Sequence, residues 1–486
     1  MPRKSLYLLT VLSLGFMQAM AQFPEDALRL STPGFGVGAR ALGMGGAYTG
    51  VASDYSAIYW NPAGLAQITL GEFSMGLSYL NAQDDGTLFG TTGNTPQYLT
   101  NTNSFGPTQG ASNNVMNFNS FGITHPVPVR RGSLVLAFGF QREASFNSGL
   151  EFSGFNPLSS IIQSWAPNNG PLTQDISIAE ELGLAQADTI NNVFQSLITN
   201  RVTQTGDVTE SGGLNNWSVA AALDIGPNLS AGVTLTYVAG SYRYDRSYTE
   251  EDRNNYYETY PFDFNKLQVD EFIDGDISGV TAKFGLMYRV PDRFRIGITV
   301  KTPTAFSIRE NYGLTAQSTF DKNQTLNYNS DATSDYDVRT PWVVGGGASV
   351  TIRDLVLSGD VEFTDWTTME FTDAKSDLMQ ENKNIRSLFT STLEYRLGAE
   401  YDIARSGIRL RGGFGYRPSP YKDDPSDFDR KTASGGIGVL LSSNVMLDVA
   451  YAHSWWKNYR SNYDATSRVD ESLTWNTVLA TLSYRF

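Results

Sequence analysis

The closing segment of the chain, residues 479–486, is the feature that most constrains the fold. Apolar or aromatic side chains stand at Leu482, Tyr484 and Phe486, with polar Ser483 and Arg485 between them. This period of two predicts a β-strand with one apolar face. A strand of this kind that ends on an aromatic residue is typical of an outer-membrane β-barrel. The lipid bilayer is then the solvent for half of the side chains, and the same pattern should recur along the chain.

The first 21 residues have the organisation of a secretory signal. Arg3 and Lys4 precede a mostly apolar stretch, and Ala19-Met20-Ala21 supplies the small-x-small pattern that signal peptidases cleave. We therefore expect residues 1–21 to be a signal peptide that is removed on export. No later stretch reaches the roughly 18 consecutive apolar residues of a transmembrane helix, so the sequence does not favour a helical membrane protein.

Composition agrees with a barrel and disfavours several other classes of protein. The 46 glycines and 12% aromatic residues suit many turns and interfacial aromatic girdles. The mean hydropathy of -0.27 fits strands whose second face is polar. The net charge of -14 disfavours nucleic acid as a partner. Without cysteine there is no thiolate metal site, and we expect neither a metal nor a cofactor.

About 14 alternating segments follow residue 70, and their connections alternate between short and long. Gly226-Pro227-Asn228 and Arg353-Asp354 are examples of the short turns. We predict an all-β fold, a transmembrane antiparallel β-barrel over residues 70–486 with short periplasmic turns and long extracellular loops. The loop 143–216 should be partly helical, because its apolar residues follow helical spacing from Ile176 to Ile198. A soluble β-sandwich is the alternative fold.

Residues 22–69 do not follow the strand pattern. This segment is rich in glycine, notably at Gly43, Gly45 and Gly46, and Asn61-Pro62 marks a turn. It carries too many apolar residues for a solvated tail, so we expect it to fold inside the barrel as a hatch, or plug. A phosphate-binding loop is disfavoured because no Lys-Ser/Thr pair follows the glycines.

The hatch segment closely resembles that of the long-chain fatty-acid transporter (FadL/TodX, OmpP1) family. The shared elements are Arg40-Ala41, Gly43 to Tyr48, Asp54 and Asn61 to Leu65, and the tail from Arg411 to Phe414 is also similar. The resemblance implies a 14-stranded barrel with an internal hatch, integral to a Gram-negative outer membrane. It also implies passive uptake of hydrophobic small molecules, either long-chain fatty acids or aromatic hydrocarbons. The implied route is an outer groove, a hatch-gated pocket and a lateral exit.

The same resemblance assigns roles to individual residues. The implied hatch or gating residues are Arg40, Gly43, Gly45, Gly46, Asp54, Asn61, Pro62 and Ala63. In the family the third strand is kinked at the lateral exit, and Gly139 is the interior break in the strand over residues 133–142. The implied neighbours of the barrel are outer-membrane lipid, lipopolysaccharide and the barrel-assembly machinery.

Three questions about function stay open at this level. Arg40 is a candidate partner for a ligand carboxylate, but a hatch arginine can equally pair with an acid of the barrel wall. An enzyme is not expected, because His125 and His453 are the only histidines and neither is paired with a serine by any pattern. A shuttle or scaffold of a protein secretion system and a nonspecific porin are the alternatives to the transporter.

Overall fold

The computed structural model describes residues 23–91, 102–167, 169–172, 177–258, 263–291, 293–322, 324–464 and 467–486. The predicted signal peptide, residues 1–21, lies outside these ranges. Within them, no helix has both the length and the apolar character that crossing a membrane requires.

Fourteen antiparallel strands form a closed barrel, as the sequence predicts. Closure is made by the first and last strands, which pair from Glu72↔Arg485 to Gly90↔Ser467. Five of the strands consist of two collinear segments; in the second strand, the short segment Thr102–Ser104 precedes Gln109–Val127, and both pair with the first strand. The strands are β1 (Glu72–Thr91), β2 (Thr102–Ser104 and Gln109–Val127), β3 (Leu134–Ser145 and Ser148–Asn156), β4 (Val202–Gly226), β5 (Leu229–Glu251), β6 (Phe264–Val290), β7 (Phe294–Lys301 and Ala305–Phe320), β8 (Thr325–Arg339 and Val343–Ile352), β9 (Leu355–Asp365 and Glu370–Thr372), β10 (Ser391–Ile403), β11 (Ile408–Arg417), β12 (Arg430–Ser442), β13 (Val445–Asp464) and β14 (Ser467–Arg485).

The strands extend well beyond the membrane at the end that carries the long loops. β4, β5 and β6 contain 25, 23 and 27 residues, whereas a tilted strand crosses the bilayer with about 9–11 residues. The sequence pattern placed the start of β4 at Trp217, but the strand begins at Val202. Outside the bilayer a strand needs no apolar outer face, so the alternation that reveals a membrane strand is lost there although the hydrogen-bonded ladder continues.

A lid formed by residues 157–167, 169–172 and 177–200 lies at the long-loop end of the barrel. It contains the short helices Ile162–Trp165 and Ile178–Glu181 and a small hairpin, Ala185–Asp188 with Val193–Ser196. Its buried apolar side chains pack against the inner faces of the projecting strands; the lid members are Ile161, Ile162, Trp165, Ala166, Ala179, Leu182, Leu184, Ala185, Phe194 and Ile198.

The hatch, residues 23–69, lies inside the barrel. It consists of the helices Pro24–Ser31, Ala39–Gly43 and Ala57–Trp60 and the 3₁₀ helix Pro62–Gln67, joined by turns. Most of its apolar side chains are buried against the inner wall. Outside the hatch, the helix Ser376–Leu388 lies at the long-loop end and contacts the first hatch helix.

Candidate functional site

A buried charge network ties the hatch to one side of the barrel wall. Arg40 donates to Glu400 of β10 through Nε at 2.8 Å and through Nη2 at 2.7 Å. Glu400 also accepts from Arg411 of β11 at 2.7 Å, and Arg411 in turn bonds to Asp448 of β13 at 2.6 Å. Arg40 is thus paired with a wall acid, the second of the two options open at the sequence level.

Two carboxylates, Asp54 and Asp360, bind the hatch segment at Tyr48 and Thr49. The Tyr48 hydroxyl donates to Asp54 at 2.5 Å, and Asp54 lies 3.6 Å from Arg40. Asp360 of β9 accepts from the backbone N–H groups of Tyr48 and Thr49, at 2.8 and 2.7 Å. The structure therefore brings two predicted hatch residues, Arg40 and Asp54, into one network.

The Asn61-Pro62-Ala63 turn packs against a different part of the wall, strands β5 to β7. The Asn61 amide donates to the carbonyl oxygens of Thr49 and of Leu286 in β6, at 3.0 and 3.3 Å, and its oxygen accepts from the Ala63 N–H at 3.1 Å. The turn is therefore capped on itself and also bonded to the barrel.

Close approach between hatch and wall depends on glycine on both sides. In the hatch, Gly45 and Gly46 adopt positive φ angles of +66° and +76°, and Gly43 touches the Gly436 backbone. On the wall, a Cβ would lie within 2.6 Å of a hatch atom at seven inward-facing glycines, which lie on β2, β3, β5, β6, β7, β10 and β11: Gly122, Gly139, Gly232, Gly285, Gly297, Gly398 and Gly413. The sequence analysis missed this set, although glycine at alternate positions of neighbouring strands was a signal that could have shown it.

The hydrogen-bond ladder between β2 and β3 is interrupted part of the way along the two strands. Their ladder runs from Val127↔Leu134 only as far as Ser120↔Gln141. Directly beyond that rung the register shifts on both strands, at Asn119 in β2 and at Glu143 in β3. Beyond it the two strands form no further ladder, although the Phe155 N–H still donates to the carbonyl oxygen of Phe105 at 2.9 Å, so a gap in the ladder begins at this level.

Hatch backbone lies across the inner side of this gap. The Gly34 N–H donates to the carbonyl oxygen of Glu143 at 2.9 Å, and the Asn119 amide donates to the carbonyl oxygen of Gly36 at 3.2 Å. Gly139 lies below the gap, in a regular rung opposite Gly122. The irregularity of β3 is at Arg142–Ala144 and not at Gly139 itself.

A cavity of about 140 Å³ lies in the lumen between the hatch and the wall. Tyr59 and Trp60 line it from the hatch. From the wall it is lined by the charged residues Lys283, Lys301, Arg396, Arg417, Arg430, Glu143, Glu362 and Glu394. The cavity therefore combines aromatic surface with an excess of positive charge.

Two of these cations have no carboxylate partner among the described residues. Lys301 pairs with Glu143 at 2.9 Å, and Arg396 and Arg417 both pair with Glu394. By contrast, Lys283 Nζ contacts the carbonyl oxygen of Tyr59 at 2.6 Å. Arg430 packs over the rings of Trp456 and Trp475. Sequence analysis singled out neither cation, because inward or outward orientation follows from register, and register was not known.

Together these features define a class of protein, a 14-stranded membrane barrel with an internal hatch, a luminal cavity and a gap in one ladder of its wall. Residues 163–486 match the model of the outer membrane protein transport protein (OMPP1/FadL/TodX) family. The chain belongs to this family, as the hatch motif suggested. No protein with a curated description matches it.

Solved structures share the fold at low sequence identity. A Pseudomonas aeruginosa FadL homologue is 13% identical with a TM-score of 0.56, and the match covers 91% of this chain and 96% of that one. The P. putida toluene transporter TodX is 12% identical with a TM-score of 0.51, covering 93% and 99%. The Ralstonia pickettii toluene transporter TbuX is 15% identical with a TM-score of 0.50, covering 93% and 98%.

Proposed function

We propose that this protein takes up hydrophobic small molecules passively across the outer membrane, and that its preferred ligand is a long-chain fatty acid. The ligand enters from an outer groove, binds in the luminal cavity beside the hatch, and leaves sideways through the gap between β2 and β3. The predicted gating residues of the hatch hold the cavity floor in place.

Two cations without a carboxylate partner among the described residues, Lys283 and Arg430, carry this proposal. A charge taken out of water needs a partner of opposite sign, and a carboxylate headgroup would supply one for either cation. A neutral aromatic hydrocarbon would leave both cations unpaired. The aromatic surface of Tyr59 and Trp60 gives the apolar chain a place to pack.

A lateral exit fits the energetics of an acyl chain. Each CH₂ group loses about 0.8 kcal/mol on passing from an apolar environment into water. A gap that leads from the lumen to the membrane removes the need to cross the aqueous periplasmic side. The location of the gap at β2 and β3 supports this route, because it lies beside Glu143 and Gln141, which also line the cavity.

The alternatives find less support in the structure. The hatch and the lid fill the lumen at two levels, which is the opposite of what a nonspecific porin requires. No feature of the described residues favours a secretion shuttle or an enzyme over the transporter. The barrel surface is expected to contact outer-membrane lipid and lipopolysaccharide, and folding to use the barrel-assembly machinery.

The test is ligand binding to the mature protein in nanodiscs, with oleate and its methyl ester as probes. At least one of Lys283→Met and Arg430→Met should weaken oleate binding about tenfold, because a charge-assisted hydrogen bond contributes about 1.5–3 kcal/mol. Methyl ester binding should stay the same. Lys457→Met is the matched control, since Lys457 is exposed at the rim and paired with Asp427.

Two results would contradict the proposal. If oleate and its methyl ester bind equally well and neither variant changes this, the cations do not select a carboxylate. If toluene binds more tightly than oleate, the ligand is an aromatic hydrocarbon.

A further inference from the structure

The hydroxyl group of Tyr55 lies at the lower end of the wall gap. Tyr55 belongs to the hatch and is 1% exposed. Its hydroxyl donates to the carbonyl oxygen of Phe121 in β2 at 2.9 Å and lies 3.3 Å from that of Phe140 in β3. It accepts from the amide of Gln141 at 2.7 Å. One hatch side chain thus contacts both strands where they separate.

The ring of Tyr55 occupies the space that two wall side chains would otherwise fill. A Cβ at Gly122 would lie 2.2 Å from the ring, and a Cβ at Gly139 would lie 2.1 Å from the hydroxyl oxygen. These two glycines face each other across the ladder. Gly139, which the sequence suggested as a kink, is therefore a site of close contact with the hatch.

This rung has no cross-strand side chains of its own, and the nearest pair, the stacked rings of Phe121 and Phe140, lies one rung away on the outer face. Cross-strand side-chain pairs contribute much of the stability of a ladder, and a Gly–Gly rung has none. The rung lies one step inside the Phe121↔Phe140 pair and two steps from the end of the ladder. Without Tyr55, fraying from the open end would meet no resistance from side chains on the inner face.

We propose that Tyr55 is a positioning residue that fixes where the gap between β2 and β3 ends, and so limits how far the lateral exit can open. This inference rests on the proposed function, because it assumes that the gap is the exit. Burial raises the pKa of Tyr55 above its usual range, so the hydroxyl keeps its proton and remains a donor. When the hydroxyl bonds break, the Gly122↔Gly139 rung can separate and the gap lengthens towards the short-turn end.

Tyr55→Phe tests the proposal because the ring stays and the three polar contacts are lost. In nanodiscs, hydrogen exchange at the amides of residues 120–122 and 139–141 should rise about fivefold, the factor that corresponds to about 1 kcal/mol for one hydrogen bond. Transfer of oleate into the membrane should accelerate by a similar factor. Tyr451→Phe is the matched control, since it removes one hydroxyl hydrogen bond, to Asn476, between β13 and β14 and should leave both rates unchanged.

A disulfide rescue separates positioning from a general loss of hatch stability. The chain has no cysteine, so Phe121→Cys and Phe140→Cys introduce a single possible cross-link between directly opposed residues. In the Tyr55→Phe background, the oxidised form should return exchange and transfer to wild-type values, and reduction should reverse this. A purely structural role of Tyr55 in the hatch would not respond to a cross-link on the lipid face.

The outcomes distinguish this inference from the proposed function. Unchanged exchange in Tyr55→Phe, or a failure of the disulfide to restore it, overturns the positioning role. Hydrogen exchange could rise in Tyr55→Phe and be restored by the disulfide while oleate transfer does not change. Tyr55 then positions the rung as inferred, and the lateral exit of the proposed function is contradicted.

Discussion

Arg40 of the hatch and Glu400 of the barrel wall form a bidentate ion pair, with distances of 2.7 and 2.8 Å. In the closed order of fourteen strands, β10 lies across the lumen from the gap between β2 and β3. The hatch is therefore attached by buried charges on one side of the barrel. On the gap side it is attached by uncharged hydrogen bonds, which are made by Gly34, Gly36 and the hydroxyl of Tyr55. Movement of the hatch should begin on the gap side, where the contacts are weaker.

Glu400→Gln should loosen the anchored side of the hatch. The substitution leaves Arg40 and Arg411 without their shared partner, and breaking a buried pair costs about 3–5 kcal/mol. Ionic conductance through single barrels in planar bilayers should rise, because the hatch no longer fills the lumen. Asp335→Asn, in an exposed pair with Arg309, should leave conductance at the wild-type value; equal conductance in both variants would show that Glu400 does not anchor the hatch.

Gly413→Ala should displace the hatch from β11. The added Cβ would lie 2.1 Å from the backbone nitrogen of Gly45, and overpacking of this kind costs about 1–3 kcal/mol. Limited proteolysis should then cut the hatch faster than in the wild type. The neighbouring Gly412→Ala is an internal control, since a Cβ there meets nothing within 4 Å; cleavage at one common rate would contradict the predicted contact.

Asn61→Ala should destabilise the turn that packs on β5 to β7. The change leaves the Ala63 N–H and the carbonyl oxygens of Thr49 and Leu286 without the side-chain partners seen in the structure. An unsatisfied buried group costs about 1–3 kcal/mol. Hydrogen exchange across residues 61–67 should increase, whereas the exposed Asn114→Ala should have no effect there. Unaltered exchange in this segment would mean that the amide contacts do not hold the turn.

Glu250→Ala should release the lid. Glu250 of β5 is buried and accepts hydrogen bonds from Ser160, from the Ile161 N–H, and from Gln204 and Tyr248. Without these bonds, exchange of the lid amides around residues 159–166 should rise, and oleate should associate faster because the long-loop end opens more often. Glu251→Ala changes the adjacent residue, which pairs with Arg253, and should alter neither quantity. Similar effects of the two substitutions would argue against a specific contact.

The sequence predicted the barrel well because its membrane portion obeys a simple rule. Lipid-facing side chains such as Leu482 and Tyr484 must be apolar, so alternation and short turns give the number of strands. Outside the bilayer, outward-facing side chains need not be apolar, so the rule no longer applies there. The outer parts of β4 to β6 have no such alternation, and their length became apparent only from pairing partners that are distant in sequence.

The site was less accessible to sequence analysis. Motif residues such as Arg40 and Asn61 could be placed in the hatch, but their wall partners, Glu400 and Leu286, are brought to them by the closed barrel. A shift of one residue in register exchanges lumen and lipid faces. For that reason Lys283 and Arg430 could not be assigned to the cavity before the register was known.

Native mass spectrometry of the mature protein, purified in mild detergent and loaded with oleate, tests the central claim most directly. We expect the wild-type protein to retain one oleate in the cavity, and a Lys283→Met/Arg430→Met double variant to lose it while keeping an intact barrel. Retention of oleate by the double variant, or a wild-type protein that binds no apolar molecule and carries a protein partner instead, would contradict the account.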